Sequence, residues 1–132
     1  MEQSSPKVLL VDDDPTFVDI SVRAFEATSI PYATAFNGIE ALDKAKIQKP
    51  SLILLDIMMP GIDGFAILSK LRQIPETAKT PVWMLTNLSG EMNKDLAKSL
   101  GASDFLVKAE NPPSVFCEKI KTFLSSLSSN QN

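Results

Sequence analysis

The chain contains no histidine, a single cysteine, and no run of more than four apolar residues. Without histidine it cannot carry out Ser-His or Cys-His catalysis, hold a histidine-ligated metal, or form a phosphohistidine of its own. Cys117 alone excludes an internal disulfide, a cysteine zinc site and a CxxC redox pair, and it fits a reducing compartment. Because the apolar runs are too short for a membrane span or a signal-peptide core, the sequence predicts a soluble, cytoplasmic protein.

A concentrated basic face is missing as well. The 13 Lys and Arg residues are outnumbered by 16 Asp and Glu residues, which gives a net charge of -3. Binding to nucleic acid needs clustered positive charge against the phosphates, so we expect no direct nucleic-acid partner. A length of 132 residues with 44% hydrophobic residues suits one domain with its own core. We expect that domain over residues 7–127, a disordered N-terminus over 1–6, and a disordered tail or the start of a linker over 128–132.

Five short segments predict strands. Four of them are continuously apolar, which is typical of strands covered on both faces, and one alternates more, as an edge strand does. In chain order they are residues 8–11, 32–36, 52–55, 82–85 and 105–107. Helical signals separate them, so the sequence predicts an α/β fold with an open parallel sheet and helices on both faces.

The helical signals are caps and apolar stripes. Asp14-Pro15 predicts a helix start with proline at the first helical position, and Asn37 to Glu40 is typical of a capping box. Apolar residues three and four apart predict buried stripes on the third and fourth helices, formed by Phe65, Leu68 and Leu71 and by Met92, Leu96 and Leu100.

The residues that follow the apolar segments carry the chemistry. Three aspartates follow the first strand, one follows the third, a threonine follows the fourth and a lysine the fifth: residues 12–14, Asp56, Thr86 and Lys108. In an open parallel sheet, ligands bind beyond the carboxyl ends of the strands, where the strand order reverses. We therefore expect these side chains to converge on one site.

Such a site needs a cation. Two carboxylates about 4 Å apart repel by roughly 4 kcal/mol at an effective dielectric of about 20. With oxygen ligands and no histidine, Mg²⁺ is favoured, or Mn²⁺, with open positions for phosphate oxygens. Lys108 and Thr86 would supply a positive charge and a hydroxyl to a phosphoryl group. Asp56, alone at the end of its strand, is the expected nucleophile, and its product would be an aspartyl phosphate.

The motifs together resemble the receiver domain of two-component response regulators, over residues 7 to about 127. The matching segments are Val-Asp-Asp-Asp-Pro at 11–15, Leu-Leu-Asp-Ile-Met-Met-Pro-Gly at 54–61, Met-Leu-Thr at 84–86, and Gly-Ala-Ser-Asp-Phe-Leu-Val-Lys at 101–108. The resemblance implies the flavodoxin-like strand order 2-1-3-4-5. It also implies Asp56 as the phosphorylation site, Asp13 as a direct Mg²⁺ ligand, Asp12 as a supporting carboxylate, and the backbone carbonyl of Met58 as a further ligand.

The resemblance further implies a switch and its partners. Thr86 would move toward the phosphoryl group, and Phe105 would swing into the space it leaves. The last two helices and the last strand would then change as a face for dimerisation or for an output protein. The phosphoryl donor would be a sensor histidine kinase or a histidine phosphotransfer protein, and the chain would catalyse only its own phosphorylation and dephosphorylation.

Two departures from the family pattern stand out. Ala109 follows Lys108 where the family usually has a proline joined by a cis peptide; a cis bond before another residue type costs about 3 kcal/mol, yet the sequence leaves both isomers open. Met58 and Leu88 are apolar at positions that influence water access in this family, which predicts slow dephosphorylation.

An enzyme is the alternative. Residues 8–16 also match the haloacid dehalogenase phosphatase signature, in which Asp12 would be the nucleophile and Asp14 the acid and base. That interpretation leaves Asp56 unexplained and lacks the later acidic pair that such enzymes need. For Asp14 itself, capping of the first helix is the favoured interpretation. A flavodoxin is disfavoured because the first loop is acidic where a phosphate cradle is required.

Overall fold

Five parallel strands form one sheet in the order β2-β1-β3-β4-β5. The structure is a computed structural model that describes residues 6–88 and 90–129. The strands span Val8–Val11 (β1), Tyr32–Ala35 (β2), Leu52–Leu55 (β3), Val82–Thr86 (β4) and Asp104–Val107 (β5). The helices span Pro15–Ala27 (α1), Gly38–Gln48 (α2), Gly64–Gln73 (α3), Glu91–Ser99 (α4) and Pro113–Ser129 (α5), with a 3-10 turn at Lys108–Glu110. The predicted α/β fold and its strand order are confirmed.

Burial along the strands follows their place in the sheet. Every residue of β1, β3 and β4 is buried, because α1 and α5 pack on one face and α2, α3 and α4 on the other. At the two edges, β2 and β5 each bury one residue, Ala35 and Leu106. The edge position predicted for residues 32–36 is confirmed, although the strand itself ends at Ala35.

The helix caps agree with the sequence. Asp14 is the N-cap of α1, and its Oδ1 accepts a hydrogen bond from the Thr16 amide at 3.1 Å. At α2, the Asn37 side chain accepts from the Glu40 amide at 2.8 Å. The Glu40 carboxylate reaches back one residue further than a standard capping box, to the Phe36 amide at 2.7 Å.

The predicted apolar stripe of the fourth helix is wrong. Met92 is 86% exposed and Leu96 is 43% exposed, while Leu100 lies half-buried just past the helix end. Of the nine residues in α4, the structure buries only Ala97. The helix thus lies on the sheet through its smallest apolar residue, and the larger side chains point outward.

Helix α5 extends to Ser129, two residues past the predicted domain boundary at 127. Residues 1–5, 89 and 130–132 lie outside the described part of the chain. The predicted disorder at both ends falls mostly on those residues and stays a prediction.

Candidate functional site

Asp12 and Asp56 extend two neighbouring central strands by one residue. The Asp12 amide donates to the Ala35 carbonyl and the Asp56 amide to the Val11 carbonyl, both at 3.0 Å. Since β1 and β3 are parallel, with Val11 opposite Leu55, both carboxylates leave the same end of the sheet. The strand order reverses here, because the chain leaves β1 toward β2 and leaves β3 toward β4. Open α/β sheets bind their ligands at such a point.

Asp13 and Lys108 complete the cluster. One oxygen from each of Asp12, Asp13 and Asp56 lies within 4.8 Å of the others. Asp12 and Asp56 are 1% and 6% exposed, whereas Asp13 is half-buried. Lys108 Nζ lies 2.6 Å from Asp12 Oδ2 and 3.4 Å from Asp56 Oδ2. The structure therefore brings four of the predicted site residues together, with more carboxylates than ammonium groups.

Burial dominates the electrostatics of Asp12. Loss of solvent raises the pKa of its carboxyl, and the Asp56 charge adds to the rise, while the Lys108 ammonium and the Asp14 amide oppose it. The Asp14 amide donates to Asp12 Oδ1 at 3.0 Å. Among the described residues, Asp12 Oδ2 meets the Lys108 ammonium as an ion pair and has no other polar partner.

This set of donors fits a divalent cation. Carboxylate oxygens are the hard ligands that Mg²⁺ prefers, and three of them lie within reach of one ion. One ammonium cannot neutralise three carboxylates, and the buried Oδ2 of Asp12 has a lone pair to offer. Asp12, Asp13 and Asp56 can therefore hold Mg²⁺.

The loop that carries Lys108 has its own local structure. Among residues 6–88 and 90–129 there is no cis peptide, so the bond between Lys108 and Ala109 is trans. Asn111 stabilises the 3-10 turn that follows: its backbone amide donates to the Lys108 carbonyl at 3.2 Å, and its side chain donates to the Val107 carbonyl at 3.0 Å. Lys108 reaches both carboxylates from this trans-linked 3-10 turn.

Sequence reasoning missed the aromatic contact of Lys108. The Nζ atom lies over the ring of Phe17, 4.1 Å from the ring centroid. Phe17 belongs to the first turn of α1 and packs against the buried ring of Phe116 on α5, with centroids 6.2 Å apart. The available signal was position, because Phe17 follows Asp13 by four residues in a helix that starts at the site.

Three other predicted residues lie near this end of the sheet, and in the described part of the chain none of their side chains forms a hydrogen bond or ion pair with the cluster. Thr86 is fully buried at the end of β4, and its Oγ1 accepts a hydrogen bond from the Leu88 amide at 3.2 Å. Phe105 is half-buried on β5, against the core of the α2–α4 face. The Met58 amide approaches Asp56 Oδ1 at 3.4 Å, and the Met58 side chain is 61% exposed.

Gly64 is a second residue that sequence reasoning did not single out. It begins α3, and its amide donates to the Ile57 carbonyl at 2.8 Å. A Cβ atom here would lie 2.7 Å from the Ile57 Cα and would also collide with the Asp56 carbonyl. Only glycine lets α3 pack this close to the loop that holds Asp56.

The phosphatase alternative finds no support. It requires Asp14 to act as acid and base, but this residue is exposed and its carboxylate caps α1 through the Thr16 amide. Asp56, which that alternative leaves unexplained, is instead buried within the acidic cluster.

The strand order and the acidic cluster at the reversal point define a flavodoxin-like protein whose carboxylates can hold a metal ion. The chain belongs to the response regulator receiver domain family, whose model matches residues 8–121.

Similar proteins agree with this assignment. A CheY-like response regulator receiver domain protein from Methanospirillum hungatei superposes with a TM-score of 0.83 at 25% identity, over 96% of this chain and 98% of that one. The Vibrio cholerae chemotaxis protein CheY4 superposes with a TM-score of 0.82 at 28% identity, over 90% of this chain and 98% of CheY4.

Curated relatives are longer. The Bacillus subtilis alkaline phosphatase synthesis transcriptional regulatory protein PhoP is 38% identical, over 83% of this chain and 45% of its own length. The response regulator PleD of Caulobacter vibrioides is 42% identical, and the match covers 79% of this chain and 23% of PleD. The chain therefore spans less than half the length of either relative.

Two expectations from composition concern partners and location. In the described part of the chain, no helix has both the length and the apolar character needed to cross a membrane. Since PhoP is named a transcriptional regulator, the expected lack of contact with nucleic acid stays a prediction for this chain, as does its cytoplasmic location.

Proposed function

We propose that this chain accepts a phosphoryl group on Asp56 from a phosphohistidine of a sensor histidine kinase or a histidine phosphotransfer protein. One observation carries the proposal: the buried Asp56 carboxylate is in contact with Lys108 and lies within reach of two further carboxylates, at the reversal point of the sheet. Because residues 1–132 contain no histidine, the donor histidine lies outside this domain.

The chemistry is a displacement at phosphorus. A carboxylate oxygen of Asp56 attacks, the P–N bond to the donor imidazole breaks, and the imidazole leaves with the electron pair and takes up a proton. The Lys108 ammonium shifts from the carboxylates to the oxygens of the transferred phosphoryl group and stabilises their negative charge. Asp13, with Asp12 in support and Asp56 and the Met58 carbonyl as further ligands, would hold Mg²⁺, or Mn²⁺ in its place. When bound there, the cation would supply positive charge against the phosphoryl oxygens.

The response begins at Thr86. Its hydroxyl oxygen now accepts a hydrogen bond from the Leu88 amide, and on phosphorylation the hydroxyl moves to donate a hydrogen bond to a phosphoryl oxygen. The half-buried Phe105 then follows into the vacated space. The movement alters the face formed by α4, β5 and α5, which we propose binds a second copy or an output protein. The change is a population shift that needs only a few kcal/mol of differential interaction.

Catalysis by the chain is confined to its own phosphorylation and a slow loss of the phosphoryl group. The exposed Met58 and the half-buried Leu88 offer no polar group to orient an attacking water. We expect a phosphoryl half-life longer than minutes, measured by the decay of labelled protein after removal of the donor. A half-life of seconds would contradict this expectation.

The central test uses small phosphodonors. The protein is incubated with Mg²⁺ and either acetyl phosphate or phosphoramidate, whose P–N bond mimics that of phosphohistidine, and the phosphorylated fraction is measured by gel shift. We expect phosphorylation of the wild type and none of Asp56→Asn. Asp63→Asn is the matched control, because Asp63 caps α3 nearby and asparagine caps equally well.

Removal of the cation with EDTA should stop the reaction, and addition of Mg²⁺ or Mn²⁺ should restore it. Retention of the phosphoryl group by Asp56→Asn would overturn the proposed function.

A further inference from the structure

We propose that Phe17 is a positioning residue, whose ring holds the Lys108 ammonium over the acidic cluster. This inference rests on the proposed function, because it assigns a support to the lysine that would meet the phosphoryl group. Three groups surround Nζ: Asp12 Oδ2 at 2.6 Å, Asp56 Oδ2 at 3.4 Å, and the Phe17 ring with its centroid at 4.1 Å. The Lys108 side chain is only 10% exposed, so water screens these contacts weakly.

The ring differs from the carboxylates because it carries no net charge. A cation bound to Asp12 and Asp56 competes with Lys108 for their oxygens, and phosphorylation consumes one oxygen of Asp56 altogether. The attraction between an ammonium and a ring face persists through both events, because it depends on the ring quadrupole. Phe17 thus keeps Lys108 at the site while its carboxylate partners are engaged elsewhere.

The ring contact is broad, which suits a group that must move. Lys108 has to shift from the Asp12 carboxylate to a phosphoryl oxygen, and an ammonium can slide over a ring face without losing a directed bond. The Lys108 side chain is a flexible chain of four methylene groups. The neighbouring Ala109 is exposed. The trans 3-10 turn fixes the backbone of Lys108 and leaves its side chain to be held from outside.

The ring itself is held by the core. Phe116 and Phe25 are both fully buried, 6.1 Å apart, and Phe116 contacts Phe17 in a tilted arrangement. Tilted aromatic pairs of this kind fix the orientation of a ring. Since Phe116 belongs to α5, the packing between α1 and α5 sets where Lys108 rests.

The test compares the loss of the ring with its retention. Phe17→Leu removes the aromatic face and keeps an apolar side chain, whereas Phe17→Tyr keeps the face. Phe65→Leu is the matched control, because it removes a ring from α3, on the opposite face of the sheet. Two quantities are measured: the rate of Asp56 phosphorylation by acetyl phosphate with Mg²⁺, and the NMR chemical shift of the Lys108 ε-methylene protons, which a ring face moves upfield.

We expect Phe17→Leu to lower the phosphorylation rate about tenfold and to remove the upfield shift, while Phe17→Tyr keeps both close to wild type. Phe65→Leu should lower the stability and leave the rate and the shift unchanged. A normal rate in Phe17→Leu, or wild-type Lys108 protons without an upfield shift, would overturn the proposal.

The two proposals fail in different ways. If the wild type is phosphorylated normally and Phe17→Leu matches it, the positioning role is wrong and the proposed function stands. If the wild type takes no phosphoryl group on Asp56, the proposed function is wrong, and the NMR shift with its dependence on Phe17 still decides whether the ring holds Lys108.

Discussion

Helices α3 and α4 lie on the same face of the sheet and are anchored very differently. At the start of α3, the Asp63 carboxylate accepts the Ala66 amide at 2.9 Å, and the helix buries a large apolar stripe. The N-cap of α4 is Gly90, which has a φ of 109° and no side chain to form a capping hydrogen bond. Its one buried residue is Ala97.

The strands beside these helices repeat the contrast. All four residues of β3 are buried, whereas β5 buries only Leu106. The acidic cluster therefore lies on strands whose residues are all buried. Helix α4 and strand β5 bury little apolar area, so displacing them costs little free energy. The proposed switch suits this division, because local opening costs least where little apolar area is buried.

The largest expected effect is on stability, in a matched pair of truncations. Leu68→Ala in α3 removes a fully buried side chain and should lower the free energy of unfolding by about 3 kcal/mol. Leu96→Ala in α4 removes a side chain that is 43% exposed and should cost less than about 1 kcal/mol. Urea denaturation of both variants measures the difference, and equal losses would show that α3 and α4 are anchored equally well.

The next effect concerns the charge of the anchored site. Without a divalent cation, Asp13→Asn should raise the free energy of unfolding by about 1 kcal/mol, because it removes one carboxylate from a repelling cluster. With Mg²⁺ at a hundred times its dissociation constant, the wild type should gain about 2.7 kcal/mol. The variant should gain far less, so the order of the two proteins reverses.

Thermal unfolding with EDTA and with Mg²⁺ measures this reversal. Asp95→Asn on α4 is the control, because it removes an exposed carboxylate outside the cluster. If Asp13→Asn gains as much from Mg²⁺ as the wild type does, Asp13 is not a ligand.

The smallest expected effect is a pH-dependent contribution to stability from the first turns of α2 and α4. The hydrogen bond from the Phe36 amide, helped by Lys44, lowers the pKa of Glu40 against the opposing effect of burial. A lowered carboxyl pKa stabilises the fold at neutral pH, and the contribution disappears as the pH falls through that lowered pKa. Glu40→Gln should cost about 0.5 kcal/mol at pH 7.

Glu91→Gln, in the first turn of the uncapped α4, should change the stability by less than about 0.3 kcal/mol. Urea denaturation at pH 7 and at pH 3 compares the two glutamates. A Glu40→Gln difference that persists unchanged at pH 3 would show that the charge of Glu40 plays no part.

Predictions from the sequence were correct for features that depend only on residues close together in the chain. The buried strands, the Asp14 cap and the Asn37 capping box each depend on neighbours a few residues apart. The stripe of Met92, Leu96 and Leu100 failed because helical spacing shows that residues share a face, and it does not show which face the sheet receives. The cap of α2 was right in kind and shifted by one residue, to the Phe36 amide.

Local patterns of apolar runs and caps were enough to predict an open parallel α/β sheet with polar side chains at its strand ends, and the resemblance of the motifs to receiver domains supplied the strand order. Three features became visible only in the folded chain: Lys108 Nζ lies over the Phe17 ring, the peptide bond after Lys108 is trans, and Thr86 Oγ1 accepts a hydrogen bond from the Leu88 amide. These contacts join segments far apart in the chain or choose between local partners of similar energy. Packing determines these contacts, because burial and electrostatic interactions depend on every residue that is close in space, wherever it lies in the sequence.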